Sequence, residues 1–376
     1  MILKADCIYF PGDRPCKPHK TTGVLCPDCD LYTPMGFRIL IIKLDAIGDV
    51  LRTTSILHSL KKKYTDSYIV WLTKNNAKDL FKNNDLVNEI FVYENIATET
   101  NLDVEEFDLV INLDPSPVSA ALATKANGKE KIGFGLKPNG KVFTFNDEAI
   151  EWFEMGAFDN LKKANTKTYQ QIIHEICSLD YDKGEIIVKL NDVEQKFSDE
   201  YLKNLEKYNF DIIIGINPGA SDRWEYKKWR EDGYIELINK IQAQYNACIL
   251  LYGGEEEKEL LEALSSSSKN IISTGSNNSL RQFIALMNVP QIFITGDTLA
   301  LHIATALKKE VICLFGPTSY NEIEDYGRIT KVVPYELECL VCYKMTCDFV
   351  PNCMQVITAD MVFEQVKQKI NKIKNG

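Results

Sequence analysis

Phe37 to Tyr64, FRILIIKLDAIGDVLRTTSILHSLKKKY, is the stretch from which the fold follows. Arg38 to Lys43 is a short apolar run rich in isoleucine, and beyond Gly48 mostly apolar residues recur at Val50, Thr54, Leu57, Leu60 and Tyr64. The first has the character of a buried strand, the second that of an amphipathic helix. Between them LDAIGD forms a tight turn in which only Gly48 takes a positive φ without strain, and Asp49 falls at the helix N-terminus. A carboxylate therefore stands at the C-terminal edge of a first parallel strand, where open α/β sheets bind ligands. Taken alone, Asp49 is a helix cap. A dinucleotide loop would need three glycines in this turn, and it has one.

Outward from this stretch the pattern repeats. Strands are expected at Ser67 to Thr73, Val87 to Tyr93, Phe107 to Asp114 and Lys131 to Leu136, with a polar helix around Asn75 to Asn83 and a small-residue helix over Pro117 to Ala126. The G-x-G within Lys131 to Leu136 precedes no clear helix and is set aside as a cofactor loop. A helix over Thr168 to Leu179, the segment EIIVKL and a charged helix near Val193 to Tyr208 lead to a second apolar run, DIIIGINPGAS, Asp211 to Ser221. Strands and helices then alternate again: Glu231 to Tyr245, Ala247 to Gly254, Glu255 to Leu264, NIIST, Leu280 to Met287, QIFITGD, Leu299 to Leu307 and VICLFGP. Two doubly wound α/β domains in tandem, with the ligand in the cleft between them, are the economical reading. Thr358 to Ile373 is a final helix with no strand after it.

A chain of 376 residues suits two domains of ordinary size, and 45% apolar with 26% charged residues is a soluble globular balance. No apolar run reaches the length of a membrane span and MILKADCIYFPGD lacks the features of a signal peptide, so a cytoplasmic protein is expected, with at most peripheral contact at the inner face of the membrane. A net charge of -10 argues against nucleic-acid binding. Lys61 to Lys63 close the first helix, where they compensate its dipole.

Eleven cysteines are many for a reducing compartment, and eight fall in two groups: Cys7, Cys16, Cys26 and Cys29, then Cys339, Cys342, Cys347 and Cys353. Such grouping suggests metal, zinc or iron, more than disulfides. Cys26-Pro-Asp-Cys29 has the spacing of a zinc knuckle, and His19 is a possible substitute ligand. The first thirty-odd residues show no periodicity and are expected to form a loop-rich appendix.

The second domain places polar groups at successive strand ends. Asp297, Thr298 and the backbone amides of Leu299 and its neighbours sit at a helix N-terminus, a place suited to phosphate, and His302 lies one turn further on the same side as Thr298. The turns Asn217 to Ser221 and Phe315 to Ser319 add amides and hydroxyls, Lys227 a countercharge, and Glu257 a carboxylate able to hold a ribose. Singly each has an ordinary structural explanation. As a set they could cradle a nucleoside diphosphate.

RILIIKLDAIGDVLRTTSILHSLK, GINPGAS followed by KKW, LLYGGEEEKEL and GDTLALHIATALKKEVICLFGPTS resemble, in that order, the motifs of glycosyltransferase family 9, the ADP-heptose:lipopolysaccharide heptosyltransferases. The resemblance implies a GT-B fold of two Rossmann-like domains and an inverting transfer. It matches Asp49 to a catalytic base, Lys227 to a lysine beside the donor phosphates, Glu257 or Glu256 to a ribose contact, and Asp297 and His302 to a donor-site pair. Ser221, Thr298 and Leu299 complete the donor set. This chain departs from the family's usual residues at Leu299, where glycine is common, at Arg230, where proline is, and at the added Asp222 to Tyr226. Asp-x-Asp occurs at Asp28 to Asp30 and Asp180 to Asp182, neither at an expected strand end, so catalysis is expected without metal.

The expected organisation is a cysteine-rich appendix (1–36), an acceptor domain (37–195), a nucleotide-sugar domain (196–357) and a closing helix (358–376) returning to the first domain. The partners implied are an ADP-sugar donor and a glycan or glycolipid acceptor. A protein acceptor, or a metal or redox sensor on a transferase scaffold, are the rival readings. An NAD-dependent oxidoreductase would need the glycines missing around Gly48.

Overall fold

The computed structural model describes residues 2–220 and 226–375. Two six-stranded sheets organise them. The first contains β1 (Arg38–Ile42), β2 (Tyr68–Thr73), β3 (Glu89–Val92), β4 (Glu106–Asn112), β5 (Asn127–Leu136) and β6 (Val142–Thr144), in the order β3-β2-β1-β4-β5-β6. Its pairs are parallel except for β5 with β6. The second contains β7 (Ile212–Asn217), β8 (Ala247–Leu251), β9 (Ile271–Ser273), β10 (Ile292–Gly296), β11 (Glu310–Leu314) and β12 (Ile329–Val332), in the order β12-β11-β10-β7-β8-β9 and parallel throughout. Counted from its own first strand, each sheet runs 3-2-1-4-5-6. The order therefore reverses between β1 and β4 and between β7 and β10, where a crevice opens at the carboxyl ends. The isoleucine-rich runs become the central strands because both their faces are covered: β7, β8 and β10 are buried at every residue, and β1 at all but Arg38.

Several expected elements differ. The helix after β1 is broken into Ile47–Thr53, a 3₁₀ turn Thr54–Ile56, and Leu57–Lys63. The hydroxyls of Thr53, Thr54 and Ser55 donate to the carbonyls of Asp49, Leu51 and Arg52 at 2.6, 2.7 and 2.9 Å, a competition with the helical ladder that tightens the middle of the segment. Around Asn75 to Asn83 there is a single 3₁₀ turn, Lys78–Phe81, followed by Asn83 at a φ of 64°. EIIVKL is extended but unpaired, joining the domains with Ile186, Ile187 and Val188 buried. The G-x-G lies inside β5, and at Gly133, with a φ of 87°, a Cβ would fall 1.8 Å from the Asn112 carbonyl oxygen. That glycine serves strand packing.

The closing helix is a correction. Ala359–Asn375 was expected to return to the first domain, but Val362, Val366 and Ile370 join Ile212, Ile214 and Ile292 in the core of the second. Lys369 donates to Glu310 Oε2 at 2.7 Å, and Lys240 of helix Glu231–Gln244 pairs with Asp360 at 2.9 Å. Its apolar stripe thus covers the sheet beside Glu231–Gln244. Helix Asp192–Glu206, opened by an Asn191–Glu194 capping box, also belongs to this domain through the Arg281–Glu194 ion pair at 2.5 Å, so a boundary at 195 cuts through it.

The two domains meet over one continuous core that includes Ile39 and Ile41 of the first sheet, Ile213 and Phe293 of the second, and Ile186 to Val188 of the connection. Polar contacts reinforce it: the Tyr169 N–H donates to the Glu322 carbonyl at 2.9 Å, the Tyr326 hydroxyl to the Gly184 carbonyl at 2.8 Å, and the Tyr181 hydroxyl to Glu324.

Candidate active site

Between the two carboxyl edges lies a cavity of about 760 Å³. Asp49, Lys227, Glu257, Asp297, Thr298, Leu299 and His302 all line it; Ser221 lies outside the described residues. Residues separated by as many as 253 positions, Asp49 and His302, therefore share one site.

On the first domain's side, helix Ile47–Thr53 is capped by Ala46 with no side-chain bond, so Asp49 is not the cap and its carboxylate is free for other work. It pairs with Arg52 Nη2 at 2.7 Å, one turn along the helix, and keeps 26% of its side chain open. Arg52 lies flat over the Tyr169 ring at 3.8 Å, and the Tyr169 hydroxyl meets Thr53 Oγ1 at 2.7 Å. Burial pushes the Asp49 carboxyl up, but Arg52, then Lys43 and His302, more than reverse it, leaving it below the usual range and ionised at neutral pH. Beneath it, at the switch between β1 and β4, Lys43 is ion-paired with Asp114, whose other oxygen accepts from the amides of Leu44 and, at 3.1 Å, Asp45. This buried pair fixes the turn that carries Asp49.

The opposite side is built around helix Leu299–Ala306. Its cap is Thr298, whose Oγ1 accepts from the Ala300 N–H at 3.2 Å. That leaves Asp297 to accept from Lys227 Nζ at 2.9 Å, a pair with side chains 15% and 19% exposed. Burial pushes the Asp297 carboxyl up, but Lys227 and His302 hold it well below the usual carboxylate range. His302 is buried, which together with Arg52 pushes its imidazole down to about 4 against the opposing pull of Asp297 and Asp49. It is neutral at pH 7. Glu257, the cleft-lining member of the Glu256/Glu257 alternative, accepts from the Gly254 N–H at 2.7 Å. A Cβ at Gly219 would stand 2.4 Å from its carboxyl group, so a larger residue there would displace the Glu257 side chain. The Ser319 hydroxyl is buried in the cavity wall without a hydrogen-bond partner among the described residues.

The two sides touch at Gly48, which is helical and without a positive φ. Its role is close approach: a Cβ would lie 3.0 Å from His302 Cδ2 and 3.5 Å from Leu299 Cα. Glycine lets the two helix N-termini meet.

Other lining residues escape a reading by motif. Arg52 was legible in principle from its i,i+3 spacing to Asp49. Trp152 and Met155 come from helix Ile150–Ala157, Lys162 from Asp159–Ala164, and Tyr169 from Tyr169–Ile176. Glu322, pushed up by burial, lies 4.0 Å from Arg52 Nη2 and accepts from the Tyr343 hydroxyl at 3.1 Å; Lys162 stacks over the Tyr343 ring at 4.2 Å. Only the fold brings these together.

The cysteines are all free thiols. Cys7, Cys16, Cys26 and Cys29 face a separate cavity in the N-terminal segment. Cys339, Cys342 and Cys347 are half-buried, and Cys353 is buried against Gly316, with burial, and then its neighbours Cys342, Cys347 and Cys339, pushing its thiol up to about 11. Among the described residues no three Cys, His, Asp or Glu side chains are grouped closely enough to hold a metal ion, so neither expected ligand set is assembled as it stands.

The model of glycosyltransferase family 9 (heptosyltransferase) matches residues 96–352. Lipooligosaccharide heptosyltransferase 2 of Campylobacter jejuni is 22% identical over 340 residues, covering 88% of this chain and 96% of its own. Among solved structures, a family 9 glycosyltransferase of Veillonella parvula superposes with a TM-score of 0.69 at 16% identity, covering 90% of this chain and 98% of its own. ADP-heptose LPS heptosyltransferase II of E. coli gives a TM-score of 0.64 at 17% identity, with 90% and 100% covered. The two superpositions cover nine-tenths of this chain, whereas the family match begins after β3 and does not include Asp49.

Proposed function

The chain belongs to glycosyltransferase family 9, the heptosyltransferase family, and from that premise we propose that it moves heptose from ADP-heptose to a hydroxyl of a lipopolysaccharide-core or related glycan acceptor, with inversion at the anomeric carbon. One observation supports this reading above the others: an ionised carboxylate on the first domain faces a cationic, amide-rich helix N-terminus on the second across a single cavity. Inverting transfer needs that opposition. Asp49 takes the proton from the acceptor hydroxyl as its oxygen bonds to the anomeric carbon, and the bond from that carbon to the diphosphate breaks on the opposite face, releasing ADP.

The diphosphate is met by Lys227, the Leu299 amide and the hydroxyls of Thr298 and Ser319, while Glu257 holds the ribose and Asp297 positions Lys227. His302 lines the cavity in its neutral form at pH 7. The acceptor enters past Trp152, Lys162 and Tyr169. Neither Asp-x-Asp pair lines the cavity, and the phosphate charge is answered by protein groups, which favours metal-independent catalysis. No helix among the described residues is long and apolar enough to cross a membrane. Eleven unpaired thiols suit a reducing compartment, which supports a cytoplasmic location.

The test is to offer ADP-, GDP- and UDP-sugars with heptose-deficient lipopolysaccharide core and, separately, with a protein acceptor, following nucleotide release and the anomeric configuration of the product. ADP release with an inverted product on the glycan is expected. Turnover with only GDP- or UDP-sugars, a retained anomer, or transfer to protein alone would contradict the reading.

A further inference from the structure

We propose that Cys7, Cys16, Cys26 and Cys29 bind one Zn²⁺ as a tetrathiolate site that makes residues 2–36 a fixed unit on the first domain. The N-terminal segment has almost no core: only Cys7 and Pro18 are buried in it, while Ile2, Leu3, Tyr9, Leu25 and Leu31 are 61%, 40%, 45%, 53% and 55% exposed. A stretch of this size cannot bury enough apolar surface to order itself, and such segments depend on disulfides or metal. Disulfides are absent here, since all four cysteines are free.

The backbone nevertheless brings the four thiols round one space. A bridge between Cys7 and Pro34, with the Ile8 N–H donating to the Thr33 carbonyl at 2.9 Å and the Met35 N–H to the Asp6 carbonyl at 2.6 Å, sets the first cysteine beside the far end of the segment. Cys26 and Cys29 close a 3₁₀ turn, and Cys16 immediately precedes helix Lys17–Thr22, whose cap at Gly23 turns the chain back towards Leu25. All four line a cavity of about 670 Å³. Ile8 and Met35 pack against the core of the first domain, so this cavity is anchored to the sheet. His19 also lines it, its Nδ1 donating to the Val24 carbonyl at 2.9 Å and its Nε2 left able to accept, but four thiols already complete a tetrahedron.

The thiols surround the space without converging on a point. Bringing them onto one ion requires rotation about the single χ1 bond of each cysteine and adjustment of the exposed joints at Gly12 and Gly23, where φ values of 93° and 73° fall to glycines that tolerate them. Binding of the ion and ordering of the segment are then one event.

The full-length protein, purified without added metal and reduced, should hold about one zinc per chain by mass spectrometry of the metal, or take up one from Zn²⁺ solution. Cys26→Ser with Cys29→Ser should bring that content near zero and speed tryptic cleavage after Lys4 and Lys20, with the circular dichroism of the two sheets intact. Cys342→Ser with Cys347→Ser, and His19→Gln, should keep the zinc. Zinc retained by the Cys26/Cys29 variant, its loss in His19→Gln alone, iron in its place, or a reduced protein that takes up no Zn²⁺ would each overturn the proposal.

Discussion

Beyond β1 and β4 the charged residues of the first sheet are satisfied by one another, Lys43 by Asp114 and Asp49 by Arg52, and the guanidinium is further held on Tyr169. Beyond β7 and β10 the second sheet presents the pair of Lys227 with Asp297, beside the Leu299 amide and a Ser319 hydroxyl without a partner among the described residues. Two sheets of identical strand order thus end in unlike chemistry. The first edge is internally ion-paired, which suits a base that must sit in one place and stay ionised. The second is rich in donors whose partner is an anion.

Substitutions at each edge should separate these roles. The largest effect is expected at Asp49→Asn, which keeps shape and, because Ala46 is the cap, leaves the helix start untouched. Turnover should fall by about 10²- to 10⁴-fold with little change in melting temperature; comparable losses of both would return Asp49 to a structural role.

His302, packed where the edges meet, links pH to stability. Its folded value of about 4 lies below the ordinary 6.5, so between those values the unfolded chain binds the extra proton. Stability is full above pH 6.5 and is lost as pH falls towards 4, with a slope of up to about 1.4 kcal/mol per pH unit from this group. Denaturant titrations of His302→Gln should show a flatter pH dependence over the same window. An unchanged profile would mean that His302 is not held neutral.

Arg52→Gln should move the acid limb of kcat/KM to higher pH, because the group that lowers the Asp49 carboxyl most is gone. A limb that stays put would assign it to another residue. The smallest effect is expected at Ser319→Ala. Its hydroxyl makes no bond within the described residues, so stability should hold while the donor KM rises about 2- to 10-fold, the worth of one neutral hydrogen bond of about 0.5–1.5 kcal/mol. A loss of stability without a change in KM would place the hydroxyl outside the donor site.

Much of this was legible in residues 37–64 and 211–319, since parallel strands buried on both faces read as isoleucine runs and helix starts mark the carboxyl edge. Asp49 and Asp297 follow the carboxyl ends of β1 and β10, which is legible from the strand pattern, whereas Lys227, Glu257 and His302 came to the site as members of a set and through the family resemblance. The reason for Gly48 was not legible: the turn suggested a positive φ, whereas the constraint is a contact with His302, far along the chain. Trp152, Tyr169 and Glu322 have no motif around them and reach the site through packing. The closing helix was placed against the first domain by the family resemblance; its own amphipathic stripe states that a face is buried without stating against which sheet.

The division of labour between the edges is tested most directly by calorimetric titration of ADP into the wild-type protein, Asp49→Asn and Lys227→Ala under one set of conditions. The account predicts unchanged affinity for Asp49→Asn and, for Lys227→Ala, a loss of about 1.5–3 kcal/mol, the scale of a charge-assisted contact. Equal affinities for wild type and Lys227→Ala, or a loss at Asp49→Asn as large as that at Lys227→Ala, would contradict it.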